Sequence, residues 1–193
     1  ALGDDLVLRD AKDRFVPPES GAVVVMDIHS GEVISLVSAP MFDPNLFTGT
    51  LLTCDWRRLN SHPRTPLLNR ATSGQYAPGS TFKMVVGLAA IEAGVISKST
   101  QFNCSGDMEL GNATFHCWRK GGHGMMNIIS ALAQSCDVFI YEVALKTGIR
   151  KIKDMAHRLG LGDVTGIGLP EEKQGVIPSH EWKLANHGRV WTP

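Results

Sequence analysis

The sequence predicts an α/β fold, on three observations. Gly21 to Ile28 (G-A-V-V-V-M-D-I) and Val33 to Ser38 are β-branched runs separated by His29-Ser30-Gly31, the composition of two strands joined by a turn. Phe82, Met84, Val85, Val86, Leu88, Ala89, Ala90 and Ile91 cover nearly every face of a helix that stops at Ala93-Gly94, which reads as a buried central helix. Further helices are expected over Asn127 to Lys146, with an early break before Gln134, and over Arg150 to Leu159, where Ile152, Met155, Ala156 and Leu159 form one stripe before Gly160.

The remaining segments follow in order. Ala1 to Val16 suits a short amphipathic helix, broken by Pro17-Pro18. Pro40 to Asn69 is loop-rich, with one short helix around Asp55 to Leu59. Ser99 to Gly124 reads as irregular, and Thr165 to Lys183, with Pro170, Gly175 and Pro178, as loop. No internal repeat or low-complexity segment is present.

Composition excludes several classes. The 193 residues suffice for one domain with a sizeable core, and 43% apolar with 20% charged content is that of a globular chain. Lys plus Arg and Asp plus Glu balance at 19 each, so there is no footprint for nucleic acid or an anionic membrane. No apolar run has the length of a membrane span, and no signal peptide opens the sequence. Trp191-Thr192-Pro193 reads as mid-loop, so the chain is expected to be a piece of something longer.

Chemistry gathers at Tyr76-Ala77-Pro78-Gly79-Ser80-Thr81-Phe82-Lys83. Ser80 opens the central helix and Lys83 follows one turn later, so hydroxyl and amine share a face and can meet. A serine hydroxyl is a weak nucleophile until a neighbour takes its proton, which a lysine does only as the neutral amine. The helix N-terminus adds positive potential that stabilises an oxyanion nearby. Alone, S-x-x-K carries little weight: an N-cap serine followed by an exposed lysine spells the same letters.

A second element is Ser135-Cys136-Asp137, ahead of the buried run Val138-Phe139-Ile140-Tyr141. A serine at the mouth of that helix could face Ser80 and Lys83 across a cleft and relay a proton between lysine and leaving group. Asp137, read as one turn from the mouth, could hydrogen-bond Lys83 or a substrate amide. The plain structural alternative is an N-cap serine with an acidic residue in the first turn.

Together, Ser80-Thr81-Phe82-Lys83 and Ser135-Cys136-Asp137 resemble the penicillin-binding serine acyltransferases, which carry S-x-x-K, S-D-N and K-T-G elements. Longer stretches resemble one branch, the class B penicillin-binding proteins of the penicillin-binding protein 2 type, elongation-specific D,D-transpeptidases. These are Gly21 to Asp27, Ser38-Ala39-Pro40 to Asp43-Pro44-Asn45, Asn69-Arg70-Ala71, Tyr76 to Lys83, and Thr165-Gly166-Ile167 to Leu169-Pro170. The likeness runs from about Gly21 to Trp182.

The resemblance implies a penicillin-recognising fold, an antiparallel sheet flanked by helices plus a helical lobe, incomplete in this chain. Residues 1–193 would be one partial transpeptidase domain holding the first strands and the helical lobe. Ser80 becomes the acylated nucleophile, Lys83 its proton acceptor, and Ser135 with Asp137 the second element. The third residue there is usually Asn, so Asp137 leaves open whether that position donates or only accepts hydrogen bonds. Lys146-Thr147-Gly148 spells K-T-G, but in the family that element lies on a core strand far downstream. Here it ends a helix, with Gly148 as cap, and is assigned no catalytic role.

The implied reaction is acyl transfer from D-Ala-D-Ala stem peptides of peptidoglycan, with β-lactam antibiotics as mimics of the donor. No catalytic cofactor is implied. The implied partner is a membrane glycosyltransferase of the elongation machinery, and the implied location is the periplasm, on an inner-membrane anchor outside this chain. The alternatives are a β-lactam sensor or receptor domain, acylated without turnover, and a serine β-lactamase.

Of the four cysteines, Cys104, Cys117 and Cys136 fall in one region with His123, within Gly121-Gly122-His123-Gly124. Three readings stay open. A Cys₃His set suits a structural tetrahedral zinc, with the glycines letting the backbone wrap tightly. The family's location outside the cytoplasm permits instead a Cys104–Cys117 disulfide, with Cys136 a buried thiol. The third reading is neither. Cys54 reads as a lone thiol, Trp118 and Trp182 as loop anchors, and Arg119-Lys120 and Glu171-Glu172 as surface pairs.

Overall fold

In the computed structural model, residues 20–188 are described; the helix expected over Ala1 to Val16 and the segment Trp191 to Pro193 lie outside them. The chain divides into two compact units, Ala1–Gln75 with Ile167–Lys173, and Tyr76–Gly166 with Gln174–Pro193.

The first unit carries the expected hairpin. β1 (Gly21–Met26) pairs antiparallel with β2 (Val33–Ala39), Gly21 opposite Ala39 and Met26 opposite Val33, with a register shift between Val25 and Met26. Asp27 closes the turn: its Oδ1 accepts from the N–H groups of His29 and Ser30, each at 2.8 Å. The Ser30 and His29 donors hold its carboxyl below the usual carboxylate range. Both faces of the hairpin are apolar and open, with Val23 59% and Ile34 68% exposed. Such a run lacks the in–out alternation of a half-solvated sheet and has the composition of strands covered on both faces.

α1 (Thr53–Asn60) lies where the short helix was expected and buries Leu59. The loop after it folds around Arg70. Its guanidinium donates to Arg64 O (2.6 Å), Thr65 Oγ1 (3.0 Å), Thr65 O (3.2 Å) and Leu68 O (3.4 Å), and its main-chain N–H donates to Ser38 Oγ on β2 at 2.9 Å. A buried guanidinium is tolerated because its forked donors are used. The returning segment is bound by Ser73 Oγ donating to Glu171 O (2.6 Å) and Lys173 N–H donating to Thr72 O (3.0 Å).

The second unit is built on α2 (Lys83–Glu92), α3 (Ile128–Ala133), α4 (Asp137–Thr147) and α5 (Ile149–Arg158). Val85, Val86, Ala89 and Ala90 of α2 form one core with Phe139 and Val143 of α4 and Ile152, Met155 and Ala156 of α5. Burying each larger side chain contributes about 1.5–3 kcal/mol. Gly87 lets α3 approach, since a Cβ there would lie 3.0 Å from Ile128 Cδ1.

α2 is less enclosed than its composition predicts. Met84, Leu88 and Ile91 form an open stripe at helical spacing, because α3, α4 and α5 use the other faces. Leu159, expected on the core stripe of α5, falls past its end and is exposed.

Ser99 to Gly124 is ordered into strands, contrary to the irregular reading. β3 (Phe102–Cys104) pairs antiparallel with β6 (Gly124–Met126), and β4 (Asp107–Leu110) with β5 (Ala113–His116). Strands this short show no periodicity, and their Gly, Cys and polar content hid them. The loop reading of Thr165 to Lys183 fails at its end, where Ser179 caps α6 (His180–His187) by accepting from Trp182 N–H at 3.1 Å. No described helix is long and apolar enough to cross a membrane.

Candidate active site

Gly79–Phe82 forms a single 3₁₀ turn that runs directly into α2. Ser80 lies exposed on this turn, and Lys83, the first residue of α2, is only 7% exposed. The direct meeting of the two side chains is replaced by a link. Ser135 Oγ stands 3.0 Å from Ser80 Oγ and 3.0 Å from Lys83 Nζ. Lys83 Nζ also donates to Ser135 O at 2.7 Å and Asp137 Oδ1 at 2.6 Å. Three oxygens, Ser135 Oγ, Ser135 O and Asp137 Oδ1, thus surround Lys83 Nζ, and its link to Ser80 runs through Ser135 Oγ.

Ser135 reaches this position through the end of α3. Ser135 N–H donates to Leu132 O (3.2 Å) and Cys136 N–H donates to Ala131 O (2.8 Å), the paired bonds of a Schellman motif. Ser135 is the left-handed residue of that motif, at φ +51°, where glycine is usual. The conformation costs about 1–2 kcal/mol in a residue with a Cβ. It also turns both the carbonyl and the hydroxyl of Ser135 onto Lys83. Cys136 is the N-cap of α4 and Asp137 its first residue. Ser135 therefore precedes the cap, and Asp137 lies at the helix mouth itself, not a turn beyond it.

Asp137 accepts at both oxygens. Oδ1 takes Lys83 Nζ, and Oδ2 takes the main-chain N–H of Trp118 at 3.1 Å. In this structure both oxygens of Asp137 are met by donors, one a lysine and one a main-chain N–H. Sequence reasoning missed the Trp118 contribution because a backbone donor carries no sequence signature.

Cys104, Cys117, His123 and Cys136 bring their ligand atoms within 4.8 Å of one another. All three thiols are buried, and none of the four cysteines forms a disulfide; Cys54 is exposed. His123 Nδ1 lies 3.6 Å from Cys104 Sγ and 3.5 Å from Cys117 Sγ. Zinc–sulfur and zinc–nitrogen bonds of about 2.3 and 2.05 Å give a tetrahedral edge of about 3.5–3.6 Å. The two edges from His123 to Cys104 and Cys117 thus match a tetrahedral cation, with Cys136 Sγ the fourth donor in the cluster. Burial pushes the Cys136 thiol up to about 12, with Cys104 and Cys117 adding to it. Burial also acts to raise Cys117, but the N–H groups of Arg119, Asp137 and Val138 outweigh it and hold that thiol below its usual value.

Two glycines make the loop. Gly106 has φ +111° and Gly122 φ +73°, and a Cβ on either would collide with main chain across the loop, Lys120 O in one case and Cys104 O in the other. His123 Nε2 is buried with no hydrogen-bond partner among the described residues.

Lys146-Thr147-Gly148 ends α4, away from these groups. Thr147 Oγ1 donates to Val143 O at 2.7 Å, Lys146 Nζ sits 5.5 Å from the Phe102 ring centroid, and Gly148 at φ +82° is the C-cap.

An S-x-x-K turn, a left-handed serine between hydroxyl and amine, and a carboxylate beyond them define a class. Residues 21–190 match the penicillin binding protein transpeptidase domain, and the chain belongs to that family. It is of the PBP2/MrdA type. Over 189 residues it is 39% identical to peptidoglycan D,D-transpeptidase MrdA of Escherichia coli (strain K12), covering 97% of this chain and 30% of that protein. Its fold matches the penicillin-binding protein PBP2 of Helicobacter pylori, solved in complex with MreC, at a TM-score of 0.87 and 35% identity, over 90% of this chain and 33% of that one. It also resembles penicillin-binding protein A of M. tuberculosis, solved as an imipenem acyl-enzyme complex, at a TM-score of 0.76 and 29% identity, over 84% of this chain and 40% of that one. The chain spans about a third of the length of these relatives.

Proposed function

We propose that this chain carries the acylation machinery of a peptidoglycan D,D-transpeptidase acting in cell elongation. Ser80 is the nucleophile, Ser135 the proton relay, Lys83 the base and Asp137 the group that holds Lys83. The observation that carries this reading is the unbroken line Ser80 Oγ–Ser135 Oγ–Lys83 Nζ–Asp137 Oδ1, every step at 3.0 Å or less. Ser80 attacks the D-Ala-D-Ala carbonyl of a stem peptide. In the reacting form Lys83 is the neutral amine, two N–H groups on Ser135 O and Asp137 Oδ1 and its lone pair facing Ser135 Oγ; the Ser80 proton passes to Ser135 Oγ, the Ser135 proton to Lys83 Nζ, and the path runs backward to protonate the departing D-alanine nitrogen. A second stem-peptide amine then takes the acyl group from Ser80. β-Lactam antibiotics enter at the first step and stop at the acyl-enzyme, the state named for the M. tuberculosis relative.

The chain is read as one part of the catalytic domain, its first strands and helical lobe, with the K-T-G strand contributed from elsewhere in the whole protein. The open apolar faces of β1 and β2 support that reading. Periplasmic placement on an inner-membrane anchor and partnership with a membrane glycosyltransferase are carried over from the family. The test is labelling of the whole protein with a fluorescent penicillin. Wild type is expected to label stoichiometrically and Ser80→Ala not at all; specific labelling of Ser80→Ala would falsify the assignment.

We further propose that Cys104, Cys117, His123 and Cys136 hold a structural zinc. The matching nitrogen–sulfur distances support it, as does a buried cluster of thiols with no disulfide. A bound ion would supply the positive charge that keeps the three thiols deprotonated. The residues themselves tie β3, the loop after β5 and the N-cap of α4 at one point, with no open position for catalysis.

A further inference from the structure

We propose that Trp118 is a positioning residue for the serine–lysine centre, clamping both ends of the Gln134–Asp137 turn that presents Ser135. The inference rests on the acyl-transfer reading of Ser80 and Lys83. Trp118 spans the turn with two donors. Its main-chain N–H bonds Asp137 Oδ2 at 3.1 Å, and its indole Nε1–H bonds Gln134 O at 3.0 Å. Between these two anchor points sits Ser135, in a left-handed conformation that glycine would adopt without strain.

Each bond has a separate consequence. The amide bond occupies one carboxylate oxygen, which leaves the other aimed at Lys83 Nζ at 2.6 Å. A carboxamide at position 137 would present an N–H₂ group to one of these two donors, so the Trp118 amide makes a carboxylate the fitting residue there. The indole bond occupies the carbonyl just ahead of Ser135, so the peptide that sets the direction of its hydroxyl cannot rotate freely. The indole ring is itself held edge to face with His123, centroids 5.3 Å apart, although the residue as a whole is 64% exposed. An exposed tryptophan held at three points by polar and ring contacts is placed for geometry, since its burial contributes little.

The test separates positioning from folding and from substrate binding. In the full-length protein, Trp118→Phe removes the indole N–H and keeps a ring against His123. Replacement of Trp118 by 3-benzothienylalanine removes the N–H alone and keeps the shape. Pre-steady-state acylation by a fluorescent penicillin yields the non-covalent dissociation constant and the acylation rate constant separately. Both variants are expected to lose about tenfold in the rate constant, the weight of one hydrogen bond, with the dissociation constant held within about twofold. Rate constants within about twofold of wild type, or a loss confined to the dissociation constant, would overturn the proposal while leaving Ser80 acylation intact. A wild-type protein that does not label at all would overturn the acyl-transfer reading and this proposal with it.

Discussion

α2 and α3 end in the same way and put the ending to different use. At the end of α2, Gly94 N–H donates to Ile91 O and Val95 N–H to Ala90 O; at the end of α3, Ser135 N–H donates to Leu132 O and Cys136 N–H to Ala131 O. Both are Schellman motifs with a left-handed residue in the same place, at φ +67° for Gly94 and φ +51° for Ser135. Gly94 meets the backbone requirement without strain, and nothing lies within 4 Å of where its Cβ would be. Ser135 meets it at a cost, and its side chain stands between the Ser80 hydroxyl and the Lys83 amine. A strained residue in an otherwise ordinary motif marks where a side chain, and not merely a turn, is needed.

The surroundings of the two ends differ accordingly. The end of α2 leads on to Ile96, one more core residue. The end of α3 is tied down on two sides, by Cys136 within the thiol–imidazole cluster and by Trp118 on Gln134 and Asp137. The extra contacts offset the strain that glycine would have avoided.

The comparison is broken most severely by Ser135→Gly. The turn is retained and its strain relieved, so stability is held or raised by up to about 1 kcal/mol, while acylation of Ser80 falls by about 10²–10⁴-fold through loss of the relay. Stopped-flow acylation beside a denaturant titration reads both; a variant that acylates at the wild-type rate removes Ser135 from the mechanism. Metal removal comes next. Chelation of the zinc-loaded protein is expected to lower the thermal midpoint by about 10 °C and to slow acylation, because the N-cap of α4 loses its anchor. Metal analysis finding no zinc in protein purified without chelator would instead leave the cluster a set of buried thiols. The smallest effect is the mirror substitution, Gly94→Ser. It imposes on α2 the strain that α3 carries, costing about 1–2 kcal/mol in a denaturant titration with acylation unchanged. Loss of acylation there would mean the two helix ends are not independent.

Legibility followed the range of each interaction. The hairpin, the stop at Gly94 and the break near Gln134 rest on β-branched runs, glycine and local periodicity, and the structure has them where expected. β3 to β6 were illegible because three- and four-residue strands exist only through their partners. The mutual approach of Cys104, Cys117, His123 and Cys136 could be guessed from residue type, but not their spacing, which depends on Gly106 and Gly122 admitting a crossing main chain. Arg70 lay in a stretch chosen for its family likeness, and its work of closing a loop shows only in its hydrogen bonds.

The sequence by itself determined which residues are proposed to carry the chemistry, since a hydroxyl, an amine, a second hydroxyl and a carboxylate are properties of residue type, and helix periodicity sets Ser80 and Lys83 one turn apart. Only the tertiary structure decided how they connect. Ser135 enters between the Ser80 hydroxyl and the Lys83 amine, and Asp137 becomes a double acceptor, because α3 ends where it does and a backbone N–H from the Cys117–Trp118 loop arrives beside it. Those distances join residues more than fifty positions apart in one case and nineteen in the other, and no local propensity encodes them.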